Sequence, residues 1–138
     1  MPDHKLPIAL LALALTLSVT TLPAVAADAP QVRQAGGISY VSGGVTEEDR
    51  DGLKVQAADF NLKLVMATKS GAYLSGTAVL VQDGAGARVL EVKSDGPWFY
   101  AKLPAGKYRI TATTNGVALR KPVTLAQRTV VVDLRWDD

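Results

Sequence analysis

The sequence predicts an all-β fold: a seven-stranded antiparallel β-sandwich preceded by one short α-helix and a signal peptide. Three observations lead there. From Asn61 onward, apolar residues recur at every second position in short runs, and turn residues separate those runs at short intervals. Helical spacing of apolar residues occurs once, between Thr46 and Phe60. An apolar run with a small-x-small ending opens the chain.

Residues 1–26 have the form of an export signal. Lys5 and the free amine stand against Asp3, Leu6 to Val19 is apolar, and Pro23 precedes Ala24-Val25-Ala26. The polar and proline residues within Leu6 to Ala26 weaken it as a permanent span. Cleavage after Ala26 is therefore expected, with no stable membrane anchor afterwards and a periplasmic or secreted location. The sequence contains no cysteine, which excludes a cysteine-linked lipid and any disulfide. The apolar core must then supply the stability.

Residues 27–60 form a lead-in segment with a short acidic helix. Ala27 to Gly37 is small and polar and has no period. Ile38 to Val41 suits a short strand, broken by Ser42-Gly43-Gly44. Thr46 is placed to cap a helix, and Glu47, Glu48 and Asp49 fill its first turn, where the helix dipole favours acids. Leu53, Ala57 and Phe60 make a narrow apolar stripe. A helix this short does not persist alone, so the stripe is expected to dock on the rest of the domain.

Residues 61–138 carry the seven predicted strands. They are Asn61 to Met66, Thr77 to Gln82, Val89 to Lys93, Trp98 to Leu103, Lys107 to Thr113, Val117 to Leu125 and Thr129 to Trp136. Pro104-Ala105-Gly106 is expected to close a three-residue hairpin. Asn115-Gly116 is the strongest hairpin signal. Pro122 directs its strand to a sheet edge.

Leu74-Ser-Gly-Thr-Ala-Val-Leu-Val81, Ser94-Asp95-Gly96-Pro97, the alternating Trp98 and Tyr100, and Leu103-Pro104-Ala105-Gly106-Lys107-Tyr108 together resemble the carboxypeptidase regulatory-like domain, a transthyretin-like or prealbumin-like β-sandwich. The resemblance spans about residues 62 to 125. It implies a prealbumin-like fold and a non-catalytic role, because in the parent carboxypeptidases this domain adjoins the zinc-bearing one. The hydroxyisourate-hydrolysing branch of the group uses histidines and ends in Tyr-Arg-Gly-Ser. This chain ends Leu134-Arg-Trp-Asp-Asp138, so that activity is not implied.

The only histidine is His4, inside the export signal. The remainder therefore lacks the usual ligands for zinc, copper or iron, and it cannot form a serine–histidine or cysteine–histidine pair. We expect no enzyme, no metal and no cofactor. Asp49-Arg50-Asp51-Gly52 resembles part of a calcium loop, but the position that needs glutamate is Ala58, so a solvated helix start accounts for the acids. Ser42-Gly43-Gly44 lacks a P-loop lysine and reads as a hinge.

Residues 27–60 carry three basic residues against six acids, and residues 61–138 eleven against six, with no dense basic block. Nothing in that distribution indicates nucleic acid. The expected function is an exported, non-catalytic accessory or protein-interaction domain of the cell envelope; the alternative is a carbohydrate-binding module. Partners would be an envelope protein or a polysaccharide. A sugar surface would draw on Phe99, Tyr73, Tyr40 and Trp136. Alternation back from Leu103 puts Ala101 and Phe99 inside. The resemblance puts Trp98 and Tyr100 inside, with a phase-shifting bulge near Ala101-Lys102. Burying two large rings favours the second arrangement, which turns Phe99 outward or leaves it partly covered.

Overall fold

The computed structural model describes residues 16–20 and 30–138. Most of the expected signal peptide, including Ala24-Val25-Ala26, lies outside the described residues. Among the described residues no helix is long and apolar enough to cross a membrane.

The protein is mostly β, with two sheets. Each of the seven predicted strands is present, as β3 (Leu62–Thr68), β4 (Ala78–Asp83), β5 (Arg88–Lys93), β6 (Trp98–Lys102), β7 (Gly106–Thr114), β8 (Val117–Leu125) and β9 (Val130–Trp136). The expected total of seven is nevertheless too low, because nine strands occur among the described residues. The lead-in supplies β1 (Arg33–Ala35) and β2 (Ile38–Gly43), which form a hairpin on the edge of the first sheet. That sheet runs β1-β2-β6-β3-β9, and the second runs β5-β4-β7-β8. The antiparallel expectation also needs correction. β9 runs parallel to β3, from Leu62 opposite Val130 to Thr68 opposite Trp136.

The facing sides of the sheets meet in one cluster. Leu62, Leu64, Phe99, Ala101, Val132 and Leu134 come from the first sheet, and Val79, Val81, Leu90, Ile110, Ala112, Val123 and Leu125 from the second. A second cluster lies on the outer face of the first sheet, beneath α1 (Glu47–Gln56) and the 3₁₀ turn Ala57–Asp59. It joins Leu53 and Phe60 to Val41, Trp98 and Tyr100, with Ala57 packed alongside. The apolar stripe therefore docks. The Thr46 hydroxyl caps the helix, accepting from the Asp49 amide at 3.1 Å.

Turn chemistry agrees with the sequence at one hairpin and departs from it at the other. Asn115 (φ 50°) and Gly116 (φ 76°) both take positive φ, as a two-residue type I′ turn requires, and they join β7 to β8. Pro122 lies in β8, an edge strand as expected. Leu103 to Gly106 closes no hairpin, because β6 and β7 belong to different sheets. The segment is a crossing between layers, pinned where the Tyr108 hydroxyl donates to the Pro104 carbonyl at 2.6 Å.

The Ser94–Pro97 turn is held from both sides. The buried Ser94 hydroxyl donates to the Gly96 carbonyl at 2.7 Å, and the Asp95 amide donates to the Ser42 hydroxyl at 2.9 Å. A β-carbon on Gly96 would overlap the Gly43 backbone, which no rotamer change can relieve. Gly96→Ala should cost about 3 kcal/mol in urea unfolding, from the overpacking alone. A midpoint equal to wild type would mean that β2 and this turn do not meet so closely.

Candidate functional site

β6 organises the site because both of its faces are covered. It pairs one-for-one with β2 from Ser39–Lys102 to Gly43–Trp98, and with β3 from Leu62–Ala101 to Val65–Trp98. The expected bulge at Ala101-Lys102 is absent; the irregularity lies instead between Val81 and Gln82, in the β4–β5 pairing. Plain alternation therefore holds along β6. Phe99 and Ala101 face the second sheet, both fully buried, which corrects the outward placement of Phe99. Trp98 and Tyr100 are buried as expected, but on the opposite face, beneath the helix. The choice between the two arrangements assumed a single core. The docked helix creates a second one, so all three rings are buried.

Cations surround this covered aromatic face. The Lys63 ammonium lies 3.8 Å from the Trp98 ring centroid and 5.5 Å from that of Tyr100. Lys54, on α1, approaches Trp98 at 5.9 Å. Partial burial, followed by the nearby Lys54 charge, lowers the Lys63 pKa, while burial raises that of the Tyr100 phenol. Indole over ammonium is a favourable contact, stronger where water is partly excluded. The Lys63 contact lies within the sheet, between β3 and β6, and Lys54 adds one from the helix. Among the described residues no group of three or more His, Cys, Asp or Glu side chains comes together as a metal site would need.

The four aromatics expected to form a sugar surface share no exposed face. Phe99 is fully buried. Trp136 is buried and donates its indole N–H to the Val117 carbonyl at 3.0 Å. Both leave the ligand surface for the same reason: alternation turns them into the space between the sheets. Tyr40 is half-buried and stacks on Phe99 at 5.7 Å. Tyr73 is 49% exposed, with the Arg50 guanidinium 5.3 Å from its ring centroid. A single open ring with a cation across it provides no extended stacking platform.

The Trp136→Phe variant, which leaves Trp98 as the only indole, should show blue-shifted emission and weak quenching by acrylamide. Red-shifted, readily quenched emission would mean that α1 does not cover β6 in solution.

The acids of α1 stand where the sequence put them, in the first turn of a capped helix. Ser42-Gly43-Gly44 serves the junction of β2 and α1, with the Gly44 carbonyl accepting from Arg50 at 2.8 Å. Two features of the site escaped the sequence. One is Lys63, which looked only like the polar partner of Leu62 and Leu64. The other is the edge of β9. Val130 donates its amide to the Asn61 carbonyl at 2.9 Å, so alternation directs the amides of Val131, Asp133 and Arg135 away from β3. No strand pairs with that side among the described residues.

No protein-family model matches this chain, and no curated protein matches it.

Proposed function

We propose that the protein is an exported, non-catalytic interaction domain of the cell envelope, of the prealbumin-like sandwich type, and that it engages a protein partner through the β9 edge. The observation that carries this reading is the edge itself. It is seven residues long, contains no proline and turns alternate backbone groups outward. Such a row of donors and acceptors accepts an added strand. Val131 beside it is 59% exposed. The Leu74–Val81 and Leu103–Tyr108 elements support the carboxypeptidase regulatory-like resemblance. Leu6 to Val19 and Ala24-Val25-Ala26 support export.

Two measurements test this reading. Mass spectrometry of protein from the native host should find a chain that starts at Ala27; an intact Met1 on a membrane-bound species would remove the export half. A photo-crosslinking side chain at position 133, exposed on the same strand, should capture an envelope protein. Val131→Pro removes one outward amide and should abolish capture while leaving the urea midpoint near wild type. Capture that persists in Val131→Pro would rule out strand addition at β9.

A further inference from the structure

The outer face of the four-stranded sheet gathers cations that are scattered in the sequence. In β7, Tyr108, Ile110 and Ala112 turn toward the core, so Lys107 and Arg109 turn outward. Arg120 is opposite Thr111 and therefore sits diagonally from Arg109. Lys93 is opposite Ala78 on the same side. The irregularity between Val81 and Gln82 pairs Arg88 with Gln82, which adds Arg88 to the outer face. The outward acid of this sheet is Glu91, and Arg88 holds it at 3.0 Å. Lys93, Lys107, Arg109 and Arg120 have no carboxylate within salt-bridge distance among the described residues. The other ion pairs, Arg33–Asp95, Lys54–Asp51, Lys69–Asp137 and Arg135–Asp133, involve the first sheet, its helix or the adjoining turns. On the outer face of the second sheet five cations, Arg88, Lys93, Lys107, Arg109 and Arg120, stand against the single acid Glu91.

The same face has a groove of about 310 Å³ where Lys107 and Arg109 meet Gln82 and the turn from Gly84 to Gly86. Asp83 borders it, but its carboxylate accepts the amides of Ala85 and Ala87, each at 2.9 Å, which spreads its charge into the turn. Between the cations lie Thr111, Thr113, Thr124 and Gln82, and Tyr108 and Pro122 complete the lining of the groove. A protein partner is typically anchored by a cluster of large apolar or aromatic groups, whereas here the cations and hydroxyls outnumber Tyr108, Pro122 and Leu80. Hydroxyl and amide groups set among unpaired cations suit a hydroxylated chain that carries regular negative charge.

We propose that this face binds an acidic polysaccharide, with Lys107 and Arg109 as its centre and Arg120 extending the track. It lies on the sheet opposite the one that contains β9, so the two surfaces can fail independently.

The test measures binding of the full chain to polygalacturonate by calorimetry at low and high salt, with neutral dextran and phosphatidylglycerol vesicles as comparisons. Polygalacturonate should bind, its affinity should fall as salt rises, and dextran should not bind. The double variant Lys107→Glu/Arg109→Glu should bind about tenfold more weakly or worse. The variant Lys54→Glu/Lys69→Glu changes net charge equally on the other side of the molecule and should keep affinity within about twofold, since screening limits distant charges. A circular dichroism melt confirms that each variant is folded. Equal losses in the two variants would overturn the proposal by showing that net charge alone matters. Tighter binding to the vesicles than to polygalacturonate would overturn it in favour of a lipid surface, and binding unchanged by Lys107→Glu/Arg109→Glu would overturn it outright.

Discussion

Phe60→Ala should lower the stability of the fold by about 4 kcal/mol, the cost of removing a large ring from a packed core. Phe60 is 4% exposed and its ring centroid lies 5.9 Å from that of Tyr100. It is also the last apolar contact before the chain enters β3, so its loss undermines both the helix and the strand behind it. The measurement is the urea midpoint followed by tryptophan emission, which reports through the neighbouring Trp98. If the loss were under about 0.5 kcal/mol, typical of a surface position, the helix would not be docked and the outer cluster would not exist in solution.

The second large effect belongs to Asn61, whose side chain joins three segments. Its Nδ2 donates to the carbonyls of Leu103 at 2.7 Å and Ala126 at 3.1 Å, and its Oδ1 accepts the Leu103 amide at 3.0 Å. Asn61→Ala strands these buried groups and should cost about 3 kcal/mol. Asn61→Asp keeps the acceptor but directs a carboxylate at two carbonyl oxygens. Its folded-state pKa must then lie above the ordinary aspartate value of about 3.9. The sign follows: the folded state binds more protons than the unfolded state above that value, so the variant loses stability relative to wild type as pH rises from about 4 to 7. A deficit that stays constant over that range would mean water reaches the site and the clamp is open.

Asn61 also shows where the sequence stops being informative. It stood at a visible change of period, from helical to alternating, and nothing local marked it as a clamp. Its partners lie 42 and 65 residues away. The features that could be read were those whose physics is local. Thr46 caps because a hydroxyl stands next to the first turn, and Asn115-Gly116 turns because those two residues tolerate positive φ. β3 to β9 were visible through alternation. β1 was not, because Arg33-Gln34-Ala35 is short, polar and held only by pairing with β2. Alternation also gave the right orientation for Phe99. The preferred reading failed because it assigned one buried face to a strand that has two. Neither the parallel partner of β3 nor the shared face of Lys107, Arg109 and Arg120 exists in the sequence until strand order and register are known.

The parallel pairing of β3 with β9 sets a schedule for folding. Residues 62–68 must wait for residues 130–136, and five of the other seven strands lie between them in the chain. Contacts so far apart impose a large loop-closure entropy and slow the search for the native topology. β3 meanwhile has β6 on one side and a vacant ladder on the other. Any process that releases this chain from its N-terminus, whether synthesis or translocation, would leave that inner strand as a temporary edge until Trp136 emerges, open to the wrong partner for as long as release takes.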